Sequence, residues 1–231
     1  MKKSLLILTI IVLSIFALMG CEKKNKDAIL FKEDYESLNK TTNASGKEHR
    51  TVNIASDNPF IITDAKDIVD KIENKETFYV YFGSKLCPWC RSVIEKAIEV
   101  ADDYDVSKIY YVDIWDDEGN EILRDKYKIN DDNEIELVTK ADSSYSKLLE
   151  YFDSLLEEYT LTDNEGNKIS VGEKRIYAPN YIYVEDGVAK KITTGISDKQ
   201  TDSREELTEE ILNDEQELFE TFFAEMCDES C

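Results

Sequence analysis

The feature that most constrains the fold is the stretch FYVYFGSKLCPWCRSVIEKAIEVA at residues 78–101, which joins an apolar run to an amphipathic one. The apolar run is short and rich in aromatic residues, as in a buried strand. Pro88 suits the first position of a helix, where its missing N–H costs nothing. The helix is then marked by apolar residues at helical spacing, at Val93, Ile94, Ala97, Ile98 and Ala101. The stretch predicts a strand followed directly by a helix, with Cys87 and Cys90 at the junction.

This junction gives the two cysteines different environments. Cys87 is predicted to be the N-cap, where free backbone N–H groups and the helix dipole favour its thiolate. Cys90 lies one turn later on the same side, within bonding distance of Cys87. A redox catalyst could use Cys87 as the nucleophile and Cys90 as the resolving thiol. Lys85 and Arg91 flank the pair and are expected to offset a little of the acidic background. Half of a metal site and a structural disulfide remain open as alternatives.

The surrounding segments alternate between predicted strands and helices. RTVNIASDNPFIIT and KIYYVDIWD read as β segments, and DAKDIVDKIENK reads as a helix between the first of them and the apolar strand. Such alternation is typical of an α/β sheet with parallel neighbours, whose functional edge lies at the carboxyl ends of the strands. Further on, NYIYVEDGVAKKITTG alternates and turns at residues 185–187, which predicts a hairpin.

Two further regions are predicted from apolar spacing. Residues 116–159 read mainly as helix, and the apolar stripe in SSYSKLLEYFDSLLEEY consists of Leu148, Leu149, Phe152, Leu155 and Leu156. LTDNEGNKISVGEKRIYAP then predicts a hairpin or irregular excursion around residues 164–166. The chain closes with an acidic helix predicted at about 203–226.

The first twenty residues are a different kind of sequence. Lys2 and Lys3 precede SLLILTIIVLSIFAL, the pattern of a secretion signal, although an uncleaved transmembrane anchor is the alternative. The tetrapeptide LMGC resembles the lipobox of bacterial lipoproteins, which implies that Cys21 is acylated and begins the mature chain. We therefore expect a signal peptide at 1–20, a lipidated cysteine with a flexible tether at 21–50, and an extracytoplasmic domain at 51–231, lipid-anchored to the cell membrane. Within the tether, one short helix is expected at FKEDYESLN.

The net charge limits the classes of partner that the protein can bind. The formal charge of −22 argues against nucleic acid as a partner, because binding a phosphate backbone needs a basic face.

Cys227 and Cys231 are expected to form a small disulfide, with a second redox pair as the alternative. A zinc site shared with Cys87 and Cys90 would have suitable ligands, but the last helix should carry the tail away from them. No metal site is therefore predicted. His49 is interpreted as a solvated linker residue.

Taken together, the chain resembles the thioredoxin family over roughly 51–114 and 177–226. In that family a cis-proline faces the cysteine pair and begins a hairpin, and RIYAPNYIYVEDGVAKKITTGI looks like this segment, with Ala178-Pro179 as the cis peptide. The resemblance implies a central mixed sheet flanked by helices, here with a helical insertion at about 116–176 and an N-terminal extension. It also implies that a substrate peptide pairs with Ala178 beside Pro179. Secreted members of the bacteriocin transport accessory type look similar in their Cys-Pro-x-Cys unit.

The chain also departs from this family. Thioredoxin has a buried acid six residues before its first active cysteine, where this chain has Tyr81, which titrates too high to act as a base. Trp89, between the cysteines, is expected to be exposed and either to shield the disulfide or to touch substrate. The expected function is thiol–disulfide exchange on protein substrates, without a dissociable cofactor and with a membrane or extracytoplasmic redox partner. A non-catalytic binding or assembly lipoprotein with a structural Cys87–Cys90 disulfide is the alternative.

Overall fold

The computed structural model describes residues 26–224. Helix α1 covers residues 26–36. The later helices are α2 (Ala65–Glu73), α3 (Pro88–Asp103), α4 (Tyr145–Phe152) and α5 (Glu209–Phe223), and a 3₁₀ turn, Asp153–Leu155, follows α4. The strands are β1 (Phe60–Ile62), β2 (Phe78–Gly83), β3 (Ile109–Asp113), β4 (Lys126–Ile129), β5 (Ile135–Thr139), β6 (Glu157–Thr162), β7 (Lys168–Arg175), β8 (Asn180–Glu185) and β9 (Val188–Thr193).

Five strands form a central sheet in the order β1-β3-β2-β8-β9. Strand β3 is parallel to both of its neighbours, β1 and β2. Strand β8 runs antiparallel to β2, with Tyr81 opposite Tyr181, and β9 completes a hairpin with β8. The sheet is therefore mixed, as predicted, and the parallel strands end at the edge where α3 begins.

Helices cover both faces of this sheet. All six residues of β2 are buried, and they alternate between two hydrophobic layers because successive strand residues point to opposite faces. Tyr79 and Tyr81 belong to the layer that also contains residues of α1, α3 and α5. Phe78, Val80 and Phe82 belong to the layer that contains residues of α2 and α4. The predicted arrangement of a mixed sheet between helices is confirmed.

The flexible tether predicted at 21–50 is wrong from residue 26 onward, although the short helix expected within it at FKEDYESLN overlaps α1. Helix α1 packs into the core, where Phe31 and Tyr35 are fully buried, and the Phe31 ring stacks on Phe60 with ring centroids 4.2 Å apart. His49, which was expected to be solvated, is buried as well. This segment is therefore part of the folded domain.

Hydrogen bonds to the backbone hold the N-terminal segment, and such contacts leave no periodic pattern in a sequence. Arg91 of α3 donates from Nη1 to the carbonyl of Tyr35 and from Nε to the carbonyl of Arg50, each at 2.8 Å. The side chain of Asn39 both donates to the carbonyl of Val52 and accepts from its N–H. The segment is thus fastened at several points to the body of the domain.

The insertion at 116–176, predicted to be helical, is mainly β. Two antiparallel hairpins, β4–β5 and β6–β7, enclose the short helix α4, and the chain leaves that helix at Phe152. The Oδ1 atoms of Asn130 and Asp163 each accept from the backbone N–H groups two and four residues later, which fixes the two hairpin turns. The hairpin predicted around residues 164–166 is confirmed.

The C-terminal helix begins later than the predicted residue 203. Thr208 is its N-cap, and its hydroxyl accepts from the N–H of Ile211 at 3.3 Å. The predicted β8–β9 hairpin is present, with positive φ at Asp186 and Gly187.

Residues 225–231, and with them Cys227 and Cys231, lie outside the described part of the chain, as does Cys21. Between residues 26 and 224, none of the helices has the length and apolar character needed to cross a membrane.

Candidate active site

Cys87 is the N-cap of α3, as predicted. Its backbone is extended, with φ of −76° and ψ of 116°, and Pro88 begins the helix. The N–H of Cys90 donates to the Cys87 sulfur at 3.3 Å. The sulfur therefore occupies the place of a capping oxygen, at the positive end of the helix dipole.

The Ala178-Pro179 loop faces the cysteine pair. The peptide bond before Pro179 is cis, as predicted, and strand β8 begins immediately after it. The Cys87 thiol donates to the carbonyl oxygen of Ala178 at 3.6 Å. Pairing of β2 with β8 in the central sheet, with Phe82 opposite Asn180, brings these distant segments together.

Both cysteines are free thiols, and both are buried. Cys87 is 4% exposed and Cys90 is 0% exposed. Trp89, which was expected to be exposed, is only partly so, because it packs against the hydrophobic layer beneath the site. Trp89 and the Ala178-Pro179 loop therefore border the Cys87 sulfur.

The two thiols differ in acidity. Hydrogen bonding from Cys90 lowers the pKa of Cys87 against the opposing effect of burial, and the N–H groups of the first helical turn act in the same direction. Burial raises the pKa of Cys90 well above its usual range, and the neighbouring Cys87 adds to this. Cys87 is therefore the group that ionises first, as the nucleophile of a thiol exchange must.

The cations expected to act on the pair are engaged elsewhere. Lys85 forms ion pairs with Asp34 and Asp117, and the guanidinium of Arg91 donates mainly to backbone carbonyls. Arg124, in the insertion, is instead the cation that lowers the pKa of Cys87, behind the effects of hydrogen bonding. No sequence pattern marked Arg124, because it lies far from the cysteines along the chain.

A buried ion cluster holds Arg124 in place. Glu121 accepts from Arg124 at 2.9 Å and from Arg175 at 3.2 Å, and all three side chains are largely buried. Arg124 also donates to the carbonyl of Ile176 at 3.1 Å, two residues before Ala178. The cluster therefore connects the insertion to the loop that faces Cys87.

Tyrosines surround the inner cysteine. The hydroxyl oxygens of Tyr35 and Tyr81 lie 2.9 Å apart in a hydrogen bond, and both residues are 0% exposed. The rings of Tyr111 and Tyr181 stack on the two sides of Tyr81. The sequence identified Tyr81 as a departure from the acid found in the family that the chain resembles, but Tyr35 was missed because its segment was interpreted as a tether.

A cavity of about 660 Å³ opens beside the same loop. Ala178, Pro179 and Asn180 form one side of it, and residues of the β6–β7 hairpin, including Glu158 and Lys168, form another. This cavity is large enough for several side chains of a polypeptide. It joins the insertion to the predicted substrate-binding residues.

The structure brings Cys87, Cys90, Trp89, Ala178 and Pro179 to one place, as the sequence predicted. The predictions for Cys21, Cys227 and Cys231 concern residues outside the described part. Among residues 26–224, no cluster of three or more His, Cys, Asp or Glu side chains is arranged to hold a metal ion.

Comparison with known proteins adds no assignment. No protein-family model matches the chain, and no curated protein has a significantly similar sequence. The geometry of the cysteine pair and its surroundings is therefore the basis for assigning a function.

Proposed function

We propose that this protein is a membrane-anchored, extracytoplasmic thiol–disulfide oxidoreductase of thioredoxin fold. The observation that carries the proposal is the position of the Cys87 sulfur, which caps α3, accepts the N–H of Cys90 and faces the carbonyl of Ala178. A sulfur so placed combines a favoured thiolate, an adjacent second thiol and a backbone acceptor beside which an extended substrate could dock.

The proposed reaction consists of two exchanges. The Cys87 thiolate attacks one sulfur of a substrate disulfide, the substrate S–S bond breaks, and the first substrate thiolate leaves. Cys90 then loses its proton and attacks the Cys87 sulfur, which forms the Cys87–Cys90 disulfide and releases the second substrate thiolate. The substrate gains two electrons and the protein loses two. A dithiol partner restores the reduced pair, and the same steps in reverse oxidise a substrate dithiol.

The insertion supports a role in substrate selection. Its β6–β7 hairpin lines the cavity next to Pro179, and its buried Glu121–Arg124–Arg175 cluster contacts the chain just before Ala178. A polypeptide that pairs with the backbone of Ala178 would extend into this cavity. We propose that protein disulfides, rather than small disulfides, are the physiological substrates.

Sequence features support the proposed location. The basic Lys2 and Lys3, the apolar run after them and the LMGC tetrapeptide fit a secretion signal followed by an acylated Cys21. The redox partner would then be a membrane or extracytoplasmic protein. Outside the cytoplasm, a Cys-x-x-Cys pair is not kept reduced by the cytoplasmic thiol pool.

A binding or assembly lipoprotein with a structural disulfide is the competing function, and the burial of both sulfurs favours it. Two observations weigh against it. The loop closed by Cys87 and Cys90 is too short to add much stability to the fold. The opposite pKa shifts of the two thiols are also unnecessary for a structural link.

The two functions are separated by trapping the mixed disulfide. In Cys90→Ser the resolving thiol is absent, so the full chain is expected to accumulate a covalent adduct with its substrate. The substrate in this test is a protein whose disulfides have been reduced and re-formed, or scrambled. The adduct is visible on non-reducing gels. Cys87→Ser is the matched control. With Cys21, Cys227 and Cys231 replaced by serine in both variants, it should form no adduct, because its remaining thiol, Cys90, is buried and weakly acidic. Equal adduct formation by both variants, or none by either, would contradict the oxidoreductase function.

A further inference from the structure

Gly83 allows the Tyr81 side chain to reach the end of strand β2. The two residues lie two positions apart on one face of the strand. A Cβ atom at position 83 would stand 2.2 Å from both the hydroxyl oxygen and Cζ of Tyr81. Glycine is therefore required for the ring to lie over this position and to direct its hydroxyl toward the carboxyl edge of the sheet, where α3 presents Cys90.

The hydroxyl group of Tyr35 orients that of Tyr81. Tyr35 of α1 and Tyr81 share a hydrogen bond of 2.9 Å in which either oxygen can be the donor. The Tyr181 ring stacks on Tyr81 at 4.3 Å with an 11° interplanar angle, so the Tyr81 ring has little freedom. Only the hydroxyl hydrogens are free to rotate between partners. The pair can therefore reverse its donor direction without moving heavy atoms.

The Tyr81 hydroxyl also acts on the Cys90 sulfur. The two residues belong to the same buried layer of the core, and both are 0% exposed. Hydrogen bonding from Tyr81 lowers the pKa of the Cys90 thiol, although burial and Cys87 raise it by more. If Tyr35 donates to Tyr81, Tyr81 is free to donate to Cys90, and each bond in such a chain strengthens the next. A buried thiolate needs donors of this kind because no water replaces them.

We propose that Tyr81 is a catalytic residue of the resolving step, and that its hydroxyl, positioned by Tyr35 and by the space at Gly83, donates to the Cys90 sulfur when that sulfur becomes negative. The proposal rests on the thiol–disulfide exchange proposed above and identifies the group that stabilises its buried thiolate. In this role a neutral hydroxyl replaces the buried carboxyl group that the resemblance leads one to expect at this position.

The proton and electrons balance without a further reagent. The proton of Cys90 passes to the substrate thiolate released in the first exchange. The Cys90 electron pair then forms the bond to the Cys87 sulfur, and the second substrate thiolate leaves with the electrons of the mixed disulfide. Tyr81 keeps its own proton throughout, since burial holds its pKa well above the usual value. It is a donor and not a base.

Charged side chains border the tyrosines around Cys90 on two sides. Asp113 accepts from the Tyr111 hydroxyl at 2.8 Å, and Glu215 of α5 lies toward Tyr181. Cys87 and Tyr81 are the ionisable side chains with the largest effects on Cys90, and Tyr35, Tyr111 and Tyr181 also interact electrostatically with it. A change in the behaviour of Cys90 is therefore assigned to the Tyr81 hydroxyl by comparing Tyr81→Phe with the same substitution at a neighbouring tyrosine.

The test separates the two exchanges in a single turnover. The full chain in detergent micelles, with Cys21, Cys227 and Cys231 replaced by serine, is mixed with oxidised glutathione and quenched with acid at intervals between pH 5 and 9. Mass spectrometry then follows formation of the Cys87–glutathione adduct and its conversion to the Cys87–Cys90 disulfide. The first rate reports the attack by Cys87, and the second reports the resolution by Cys90.

Tyr81→Phe keeps the ring and removes the hydroxyl. We expect it to slow resolution at pH 7 by about tenfold or more, the effect of one hydrogen bond to a charged group, and to move the resolution profile to higher pH. The first exchange should change less than about twofold, because the hydrogen bonds of the Cys87 sulfur are to Ala178 and to the N–H of Cys90. Tyr35→Phe should slow resolution by less, since the Tyr81 donor remains.

Tyr181→Phe is the matched control. Its ring belongs to the same stack, and its hydroxyl lies near Tyr81 but has no partner at hydrogen-bond geometry among the described residues. Both rates should therefore stay within about twofold of wild type, because losing such a weak contact costs far less than losing a hydrogen bond to a charged group. The proposal is overturned if Tyr81→Phe resolves as fast as wild type, or if Tyr181→Phe slows resolution equally. Failure of wild type to form either species would be a different result, because it would refute the exchange function on which the proposal rests.

Discussion

Arg91→Met is expected to destabilise the fold by roughly 2–6 kcal/mol, because it leaves two carbonyl groups without a donor and each such loss costs about 1–3 kcal/mol. Arg91 is 1% exposed, and the carbonyls are those of Tyr35 and Arg50 in the N-terminal segment. Methionine retains the apolar stem but no donor. Urea unfolding monitored by tyrosine and tryptophan fluorescence measures the change.

Lys66→Met provides the control for this substitution. Lys66 forms an ion pair with Asp70 on the surface of α2, with 71% of its side chain exposed. Surface pairs of this kind contribute little, so the control should unfold at nearly the same urea concentration as wild type. An Arg91→Met midpoint no lower than that of Lys66→Met would show that the N-terminal segment is not fastened as described.

Glu215→Gln is expected to stabilise the protein at pH 8 by up to about 3 kcal/mol, because burial raises the pKa of Glu215 in the folded state to about 7 from the ordinary 4.5. Glu215 is 0% exposed, and neither carboxylate oxygen has a hydrogen-bond partner among residues 26–224. The positive charges of Arg50 and, more weakly, Lys96 oppose the burial effect but do not cancel it.

The sign of this effect follows from the different pKa of Glu215 in the folded and the unfolded chain. Below about pH 4.5 both the folded and the unfolded chain carry the proton, and Glu215 imposes no penalty. Between about 4.5 and 7 the unfolded chain releases the proton while the folded chain retains it, so stability falls as pH rises. The advantage of Glu215→Gln should therefore appear across this window and level off above it.

Urea unfolding of wild type and Glu215→Gln at pH 4, 6 and 8 measures this dependence. Glu217→Gln is the matched control, since Glu217 lies on the same helix with its side chain exposed. The control should follow wild type at every pH. A Glu215→Gln advantage that is the same at pH 4 and pH 8 would contradict the assignment of an unpartnered buried carboxyl group.

The sequence predicted the centre of the fold because several independent patterns agreed there. The buried strand at β2, Pro88 at the first turn of α3 and the β8–β9 hairpin after Pro179 each have strong local signals. Sheet pairing then brings Cys87 within reach of Ala178, which the resemblance implied and no local pattern could supply.

The N-terminal segment could not be predicted in the same way. Its attachment depends on backbone carbonyls that accept from Arg91, and on a short helix in which Phe31 and Tyr35 provide most of the buried surface. Two aromatic residues four positions apart are too few for a periodic pattern. The partner of Tyr81 was missed for this reason.

The insertion was mispredicted because the leucines of α4 suggested a longer helix. Its hairpins have short strands whose side chains remain largely exposed, so the alternation that marks a half-buried strand is weak. The turns at Asn130 and Asp163 carried better information, since their side chains fix the backbone locally. Arg124 acquires its role only through the ion cluster that these hairpins assemble.

The central claim is tested most directly by the exchange of the Cys87–Cys90 pair with oxidised glutathione, in the full chain with Cys21, Cys227 and Cys231 replaced by serine. At pH 7 wild type should exchange at least about tenfold faster than an ordinary free thiol, because Cys87 is ionised more readily, and Cys87→Ser should be nearly inert. A wild-type rate no higher than that of an ordinary thiol, or an unchanged rate in Cys87→Ser, would contradict the account.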